Sequence, residues 1–405
     1  MRHIVMVSQI PLWSMSKAVG GPAFAQTIAH LAENHRISLV QPSTGYVEST
    51  DLPANVTLYP FEHRLHGALR GIPKLGWIAD TAGFLTFQSS AWPTVKRLCQ
   101  AGDVDLLYGY EIYGTPVARR AANAFGLPMV ARFQGTLMSE RKHMRLASLR
   151  FWKHIRGLSV PADLIIMTND GTQGRDYLLS IGQPAEKIRF WMNGVDRDIL
   201  SAPRLDVRPR LGVPQGAPLL LTVSRLSFWK RVDRSIRLLA ELAARGTVAH
   251  LVVVGIGSEE SRLRELAAAL GVIDRITFAG GVSRDELASF YASADLLLSL
   301  YDYSNLGNPS IEAMLLGTPL LAYDVGGTRD LVIDEVNGVL VSDPDDAAEL
   351  ANTAAALLAD DGRRRALGSS AAAWAEKNLW DWDQRMAAEL GELDGLMDSR
   401  IPEEA

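Results

Sequence analysis

Short apolar runs, each followed by a stretch with helical spacing, recur through both halves of this chain. In the second half they fall near residues 219, 250, 276, 296, 320 and 338. In the first half they cover 3–8, 37–41, 56–61, 105–110, 129–133, 163–168 and 187–192. Runs of about four to eight apolar residues bounded by Gly, Pro and Asn read as strands buried on both faces. Strands that alternate with helices pair in parallel, because the crossover needs a helix to bring the chain back. The fold class expected is α/β: two doubly wound, Rossmann-like parallel-sheet domains facing a cleft, with ligand at the carboxyl ends of the strands. The turn Asn193-Gly194-Val195-Asp196 ends a first domain of residues 1–196. Residues 197–217, proline-containing and polar, read as a linker, 218–375 as the second domain, and 376–405 as a C-terminal helical segment.

Composition bounds the rest. The chain has 405 residues, 47% hydrophobic and 21% charged, which suits two globular domains. A net charge of −5 argues against a general nucleic-acid partner. The single cysteine, Cys99, precludes an internal disulfide framework and suits a reducing compartment. The opening run MRHIVMVSQIPLW reads as a first strand rather than a signal segment, and no apolar run approaches the roughly 20 residues of a membrane span. A cytoplasmic protein, peripheral at the inner membrane face if it touches a membrane at all, is the expectation.

The stretch 301–332 carries the densest chemistry. An apolar strand runs into the loop Ser304-Asn305-Leu306-Gly307-Asn308, then into a helix over 309–316 with Asn308 as its cap and Pro309 first. A loop feeding a helix N-terminus gathers free amides and the positive dipole end at one spot, an anion site. Glu312 falls in the expected first turn, where its carboxylate can accept two hydrogen bonds from a vicinal diol. The alternative is that it only complements the dipole. After the strand near 219 comes Ser224-Arg225-Leu226-Ser227-Phe228-Trp229-Lys230-Arg231. Cations at a helix start oppose the dipole, which favours a role for Arg225 and Lys230 on an anion; Arg231 is expected in solvent. Gly20-Gly21-Pro22, between first strand and first helix, lets a ligand approach the backbone or simply turns the chain. Gly255-Ile256-Gly257 is a weaker signal, common to many α/β units.

The stretch 304–312 resembles the signature of the retaining glycosyltransferase family four, whose fold is called GT-B. That signature is a Glu, then Gly-Phe-Gly, then a second Glu eight positions after the first. Glu312 matches the second Glu, which the resemblance assigns to the nucleotide ribose, and Gly307 matches the second Gly. Ser304 stands where the first Glu, a sugar ligand, is expected, and Asn305 and Leu306 replace Gly-Phe. Arg225 and Lys230 match the family's diphosphate-binding pair. The resemblance further implies donor phosphate at the Gly20 and Gly21 amides and backbone contacts to the base from Ala279, Gly280 and Val282. It makes residues 304–308, Asn308 included, a donor loop, and it takes the last helix back to the first domain. Gln134 stands where many relatives have a His near the transferred sugar. The activity implied is transfer of a sugar from a nucleoside diphosphate donor, UDP ahead of GDP, to an acceptor hydroxyl with retention. It needs no metal and no cofactor beyond the donor; Asp343-Pro344-Asp345 has metal-clamp spacing but falls at an expected helix cap. Ser304 and Gln134 keep a weakly catalytic nucleotide-sugar-binding protein open. A dinucleotide oxidoreductase is disfavoured because Glu260 stands where a third Gly would complete Gly-X-Gly-X-X-Gly.

Three features name no ligand. Residues 141–156 interleave six basic residues with Leu146, Leu149, Trp152 and Ile155 at helical spacing. This is either a contact with anionic lipid or a phosphate-bearing acceptor, or a solvated face over the core, the second being favoured. His63 and His66 are too irregularly placed for a metal and read as solvated loop. Glu111 follows the strand at 105–110, at the end where open sheets hold ligands.

Overall fold

The computed structural model describes residues 1–10, 22–43, 52–63, 76–141 and 147–399. The chain divides into two compact units. The first holds Met1–Asn169, Gln173–Gly194 and the segment from Trp382 onward; the second holds Asp170–Thr172 and Val195–Asp381.

The first unit is built on a parallel sheet of seven strands: β1 (Arg2–Val7), β2 (His35–Pro42), β3 (Val56–Phe61), β4 (Leu106–Tyr110), β5 (Met129–Phe133), β6 (Leu164–Thr168) and β7 (Ile188–Trp191). Their order is β3-β2-β1-β4-β5-β6-β7. Every residue of β4, β5 and β6 is buried, as two-sided coverage requires. One face packs against the helices Pro22–Asn34 and Trp382–Asp398, the other against Gly76–Gln100 and Glu111–Phe125. The helix Glu111–Phe125 crosses close to β1 only because Gly114 has no side chain: a Cβ there would lie 2.1 Å from the Val7 carbonyl oxygen.

The second unit repeats the plan with β8 (Leu219–Val223), β9 (His250–Val254), β10 (Ile276–Gly280), β11 (Leu296–Ser299), β12 (Leu320–Tyr323) and β13 (Val339–Val341), in the order β10-β9-β8-β11-β12-β13. Strand order reverses between β8 and β11, so the loops leaving those two strands diverge and open a crevice. Those loops carry Arg225 with Lys230, and residues 300–308. The fold is GT-B: two doubly wound α/β units, each expected from the strand–helix alternation.

Several local expectations change. The stretch 201–217 packs as part of the second unit, its Leu205 and Val207 amides donating to the Ser289 and Ser293 hydroxyls at 3.0 and 3.1 Å. Helix Glu111–Phe125 begins directly at the end of β4, so Glu111 is its first residue, at φ 61°. The basic stretch near 150 is broken at Phe151, which separates Ala147–Arg150 from Trp152–Leu158; Lys142, Arg145 and Leu146 lie outside the described residues. His63 is 2% exposed, its Nε2 2.9 Å from the Gly83 carbonyl oxygen and 3.0 Å from the Thr86 hydroxyl. It is a core histidine, because β3 delivers it onto the helix Gly76–Gln100; His66 lies outside the described residues.

Candidate functional site

In the second unit the loop after β8 lifts two cations to the carboxyl edge of the sheet. Arg225 is exposed and takes part in no hydrogen bond or ion pair among the described residues. Lys230 is half-buried; its ammonium sits 3.7 Å from the Tyr301 ring centre and 4.2 Å from that of Trp229, with no carboxylate partner among the described residues. Burial, then the Arg225 charge, bring its pKa down to about 8. Tyr301 is held flat for this contact: its hydroxyl donates to the Val223 carbonyl at 2.9 Å. Arg231, expected in solvent, is instead a brace. It adopts φ 49° and pairs with Asp233 at 3.1 Å and Asp302 at 2.9 Å, while Arg234 reaches Asp302 at 3.1 Å. The Asp302 amide closes the loop on the Trp229 carbonyl at 3.3 Å. The brace consumes Arg231, Arg234 and both acids, leaving Arg225 and Lys230 without counter-charge among the described residues.

The loop after β11 divides its residues between inside and outside. Asn305 is fully buried. Its side-chain oxygen accepts from the Ser299 hydroxyl and the Tyr301 amide, and its amide group donates to the Tyr323 carbonyl and the Thr328 hydroxyl. Expected at the donor, its side chain is instead the pin that shapes the loop. Leu306 is 7% exposed and packs inward. Ser304 donates to the Asp170 carbonyl at 2.9 Å and accepts from the Leu306 amide at 3.0 Å. A Cβ on Gly171 would lie 1.9 Å from the Ser304 oxygen, so Asp170-Gly171-Thr172 occupies the space a longer side chain at 304 would need. Gly307 caps the helix Asn308–Leu315, a role the sequence pattern gave to Asn308. Asn308 is exposed at the helix start.

Glu312 is the fifth residue of that helix and so outside its first turn, which removes the dipole as its reason for being there. It accepts a hydrogen bond from the Tyr291 hydroxyl at 2.9 Å, and burial pushes its pKa to about 7. Ala279 and Gly280 end β10 and Val282 follows, all half-buried. Gly280 has φ 70°, and its carbonyl accepts from the Gly255 amide at 2.7 Å. Gly255 and Gly257 are required by packing: a Cβ on either would lie 1.8 Å from the Ser224 or 2.1 Å from the Leu226 carbonyl oxygen.

The first unit gathers a different set at its carboxyl edge. The Gln134 amide N–H donates to the Glu111 carboxylate at 2.7 Å. Its side-chain nitrogen donates to the Tyr110 hydroxyl, and its side-chain oxygen accepts from Asn193 at 3.1 Å and Thr168 at 3.4 Å. Asn193 in turn accepts from Arg132 at 3.2 Å. Arg132, Arg385 and Glu389 are fully buried, with Glu389 3.6 Å from Arg132 and 3.0 Å from Arg385. Gly20 and Gly21 lie outside the described residues.

The family profile described as "Glycosyl transferases group 1" matches residues 204–374, a span that contains Arg225, Lys230 and Glu312. A D-inositol 3-phosphate glycosyltransferase of Acidothermus cellulolyticus is 30% identical over 350 residues, 82% of this chain and 76% of that protein. The chain belongs to the group 1 glycosyl transferases. A second relative of this group 1 chain, the D-inositol 3-phosphate glycosyltransferase of Xylanimonas cellulosilytica, is 34% identical over 241 residues, and the match spans 57% of that protein's length. Among solved structures, Anabaena HepE in complex with UDP and glucose superposes with a TM-score of 0.70 at 21% identity, covering 98% of this chain and 100% of that one.

Three residues of this group 1 glycosyl transferase escaped sequence reading: Tyr301 beneath Lys230, Tyr291 beside Glu312, and Asp302 in the Arg231 brace. A tyrosine in a buried helix or at a strand end looks like core until its hydroxyl partner is known. Asp302 carried a usable signal, since a carboxylate just past a strand end faces whatever the neighbouring loop presents.

Proposed function

We propose that this chain transfers a sugar from a nucleoside diphosphate donor, UDP ahead of GDP, to an acceptor hydroxyl with retained configuration and without a metal. Lys230 carries the proposal. A half-buried ammonium with aromatic faces and no carboxylate, next to an unpaired Arg225, is stabilised by a dianion that the chain itself does not supply. Arg225 and Lys230 hold the diphosphate and stabilise the charge that grows on it as the bond from the sugar C1 to phosphate oxygen breaks. The acceptor oxygen bonds to C1, and its proton passes to the departing phosphate oxygen. Glu312, turned by Tyr291, accepts from the ribose hydroxyls. Gln134 is assigned to a hydroxyl of the sugar or acceptor, and the half-buried backbone of Ala279, Gly280 and Val282 to the base. UDP-glucose is the first donor to try, from the ligands of the Anabaena structure, and D-inositol 3-phosphate the first acceptor, from the names of the two relatives.

Calorimetry with UDP, GDP and NAD tests the donor. Binding of UDP that fails in both Arg225→Ala and Lys230→Ala is expected; tight NAD binding, or unchanged UDP affinity in both variants, ends the reading. A second reading has one specific observation behind it. The Ser304 hydroxyl is occupied by Asp170 and Leu306, at the position where the family's first Glu contacts the sugar. On that reading the chain binds the nucleotide and turns over slowly. A screen of UDP and GDP sugars, read by released nucleotide, separates the two: release on no donor, with UDP binding intact, leaves the binder.

A further inference from the structure

The first unit carries a groove of about 920 Å³ on its outer helix layer, away from the carboxyl edge that holds Gln134. Phe84, Leu85, Trp152 and Ile155 are its large apolar lining residues. Leu85 is 53% exposed there, and the Phe84 and Trp152 rings meet edge to face at 5.3 Å. Arg119, Arg120 and Arg156 also line it, and no acidic residue does among the described residues. Arg119 and Arg156 make no hydrogen bond or ion pair among the described residues, and Arg120 lies flat over Trp92 at 3.8 Å. The groove runs along Glu111–Phe125 from Pro116 to Asn123 and ends at Val160-Pro161, which lead into β6 at the sheet's amino edge. It therefore belongs to neither the donor site nor the Gln134 network.

Apolar lining and uncompensated guanidiniums call for opposite chemistries, and one molecule can supply both. Guanidinium forks bind phosphate oxygens in pairs. An open groove of this volume with a mainly apolar lining can take one hydrocarbon chain along its length. The chain's net charge of −5 makes three cations without a facing acid a local exception. We propose that this groove binds a single anionic lipid, its hydrocarbon chain along Phe84 and Trp152 and its phosphate among Arg119, Arg120 and Arg156. The site is independent of donor chemistry.

Calorimetry on the full chain with dodecyl phosphate below its micellar concentration tests this, against dodecyl maltoside, inorganic phosphate and an acidic amphipathic peptide. Dodecyl phosphate is expected to bind at least about tenfold more tightly than either half-probe, because both parts of the site are then engaged. Arg119→Gln combined with Arg156→Gln should weaken it about tenfold, and the exposed Leu85→Ser should weaken it too, with UDP binding unchanged in every variant. Equal binding of the maltoside, unchanged binding in the arginine variant, or capture of the peptide in preference to dodecyl phosphate would each overturn the proposal.

Discussion

The two units place their charges in opposite ways. At the carboxyl edge of the second, among the described residues, Arg225 has no hydrogen-bond or ion-pair partner and Lys230 meets aromatic faces rather than a carboxylate. In the first, Arg132, Arg385 and Glu389 are buried against one another, and Tyr108 donates to Glu389 from the sheet. A cation left unpaired and partly desolvated is a vacancy for an anion. A charge enclosed with its counter-charge holds structure, because exposing or removing either one strands the other. The second unit thus looks built to receive, and the first, at this cluster, to hold its last helix in place.

The comparison breaks most visibly at Glu389. Glu389→Gln leaves two buried guanidiniums without a carboxylate and should cost about 3–5 kcal/mol of stability. Chemical denaturation should show this, with UDP affinity of the remaining folded protein unchanged. Next comes Lys230→Ala, expected to weaken UDP by about 1.5–3 kcal/mol, the range of a charged hydrogen bond. Its unliganded stability should hold or rise, since a desolvated cation is removed. If instead Lys230→Ala lowers the melting temperature and spares UDP, the two units have been read the wrong way round.

The pH dependence sharpens the contrast at about tenfold per unit. Lys230 must be protonated to hold a diphosphate, so affinity should decline above its pKa of about 8. Glu312 must be ionised to accept from ribose, so affinity should decline below about 7. Nucleotide affinity is then greatest between those values. Lys230→Arg should remove the alkaline limb alone, and Glu312→Gln the acid limb alone. The smallest effect belongs to Ser304→Ala, which forfeits two neutral hydrogen bonds to its own loops and should cost about 0.5–1.5 kcal/mol by thermal melting. A rise in donor turnover with that variant would show that the hydroxyl holds the loop against catalysis.

Much of this site was legible in advance. Arg225, Lys230 and Glu312 announce themselves by type and by position after strands, and the apolar runs mark the strands to within a residue or two. The rest needed partners far along the chain. Arg231 and Lys230 are adjacent in sequence, yet one is neutralised by Asp302, 71 positions away, and the other is not. Ser304 reads as part of a donor loop, and nothing local shows that its hydroxyl goes to Asp170, 134 positions earlier. His63 looked solvated until the helix Gly76–Gln100 closed over it.

By itself the sequence determined the alternation of strand and helix, hence two parallel sheets, and the kinds of side chain at the carboxyl edge. Those follow from apolar periodicity and turn chemistry, which act over a few residues. Only the tertiary structure decided which charges stay open and which carboxylate is held near neutral pKa. Pairing and desolvation depend on which distant segments meet, and no local pattern encodes that meeting.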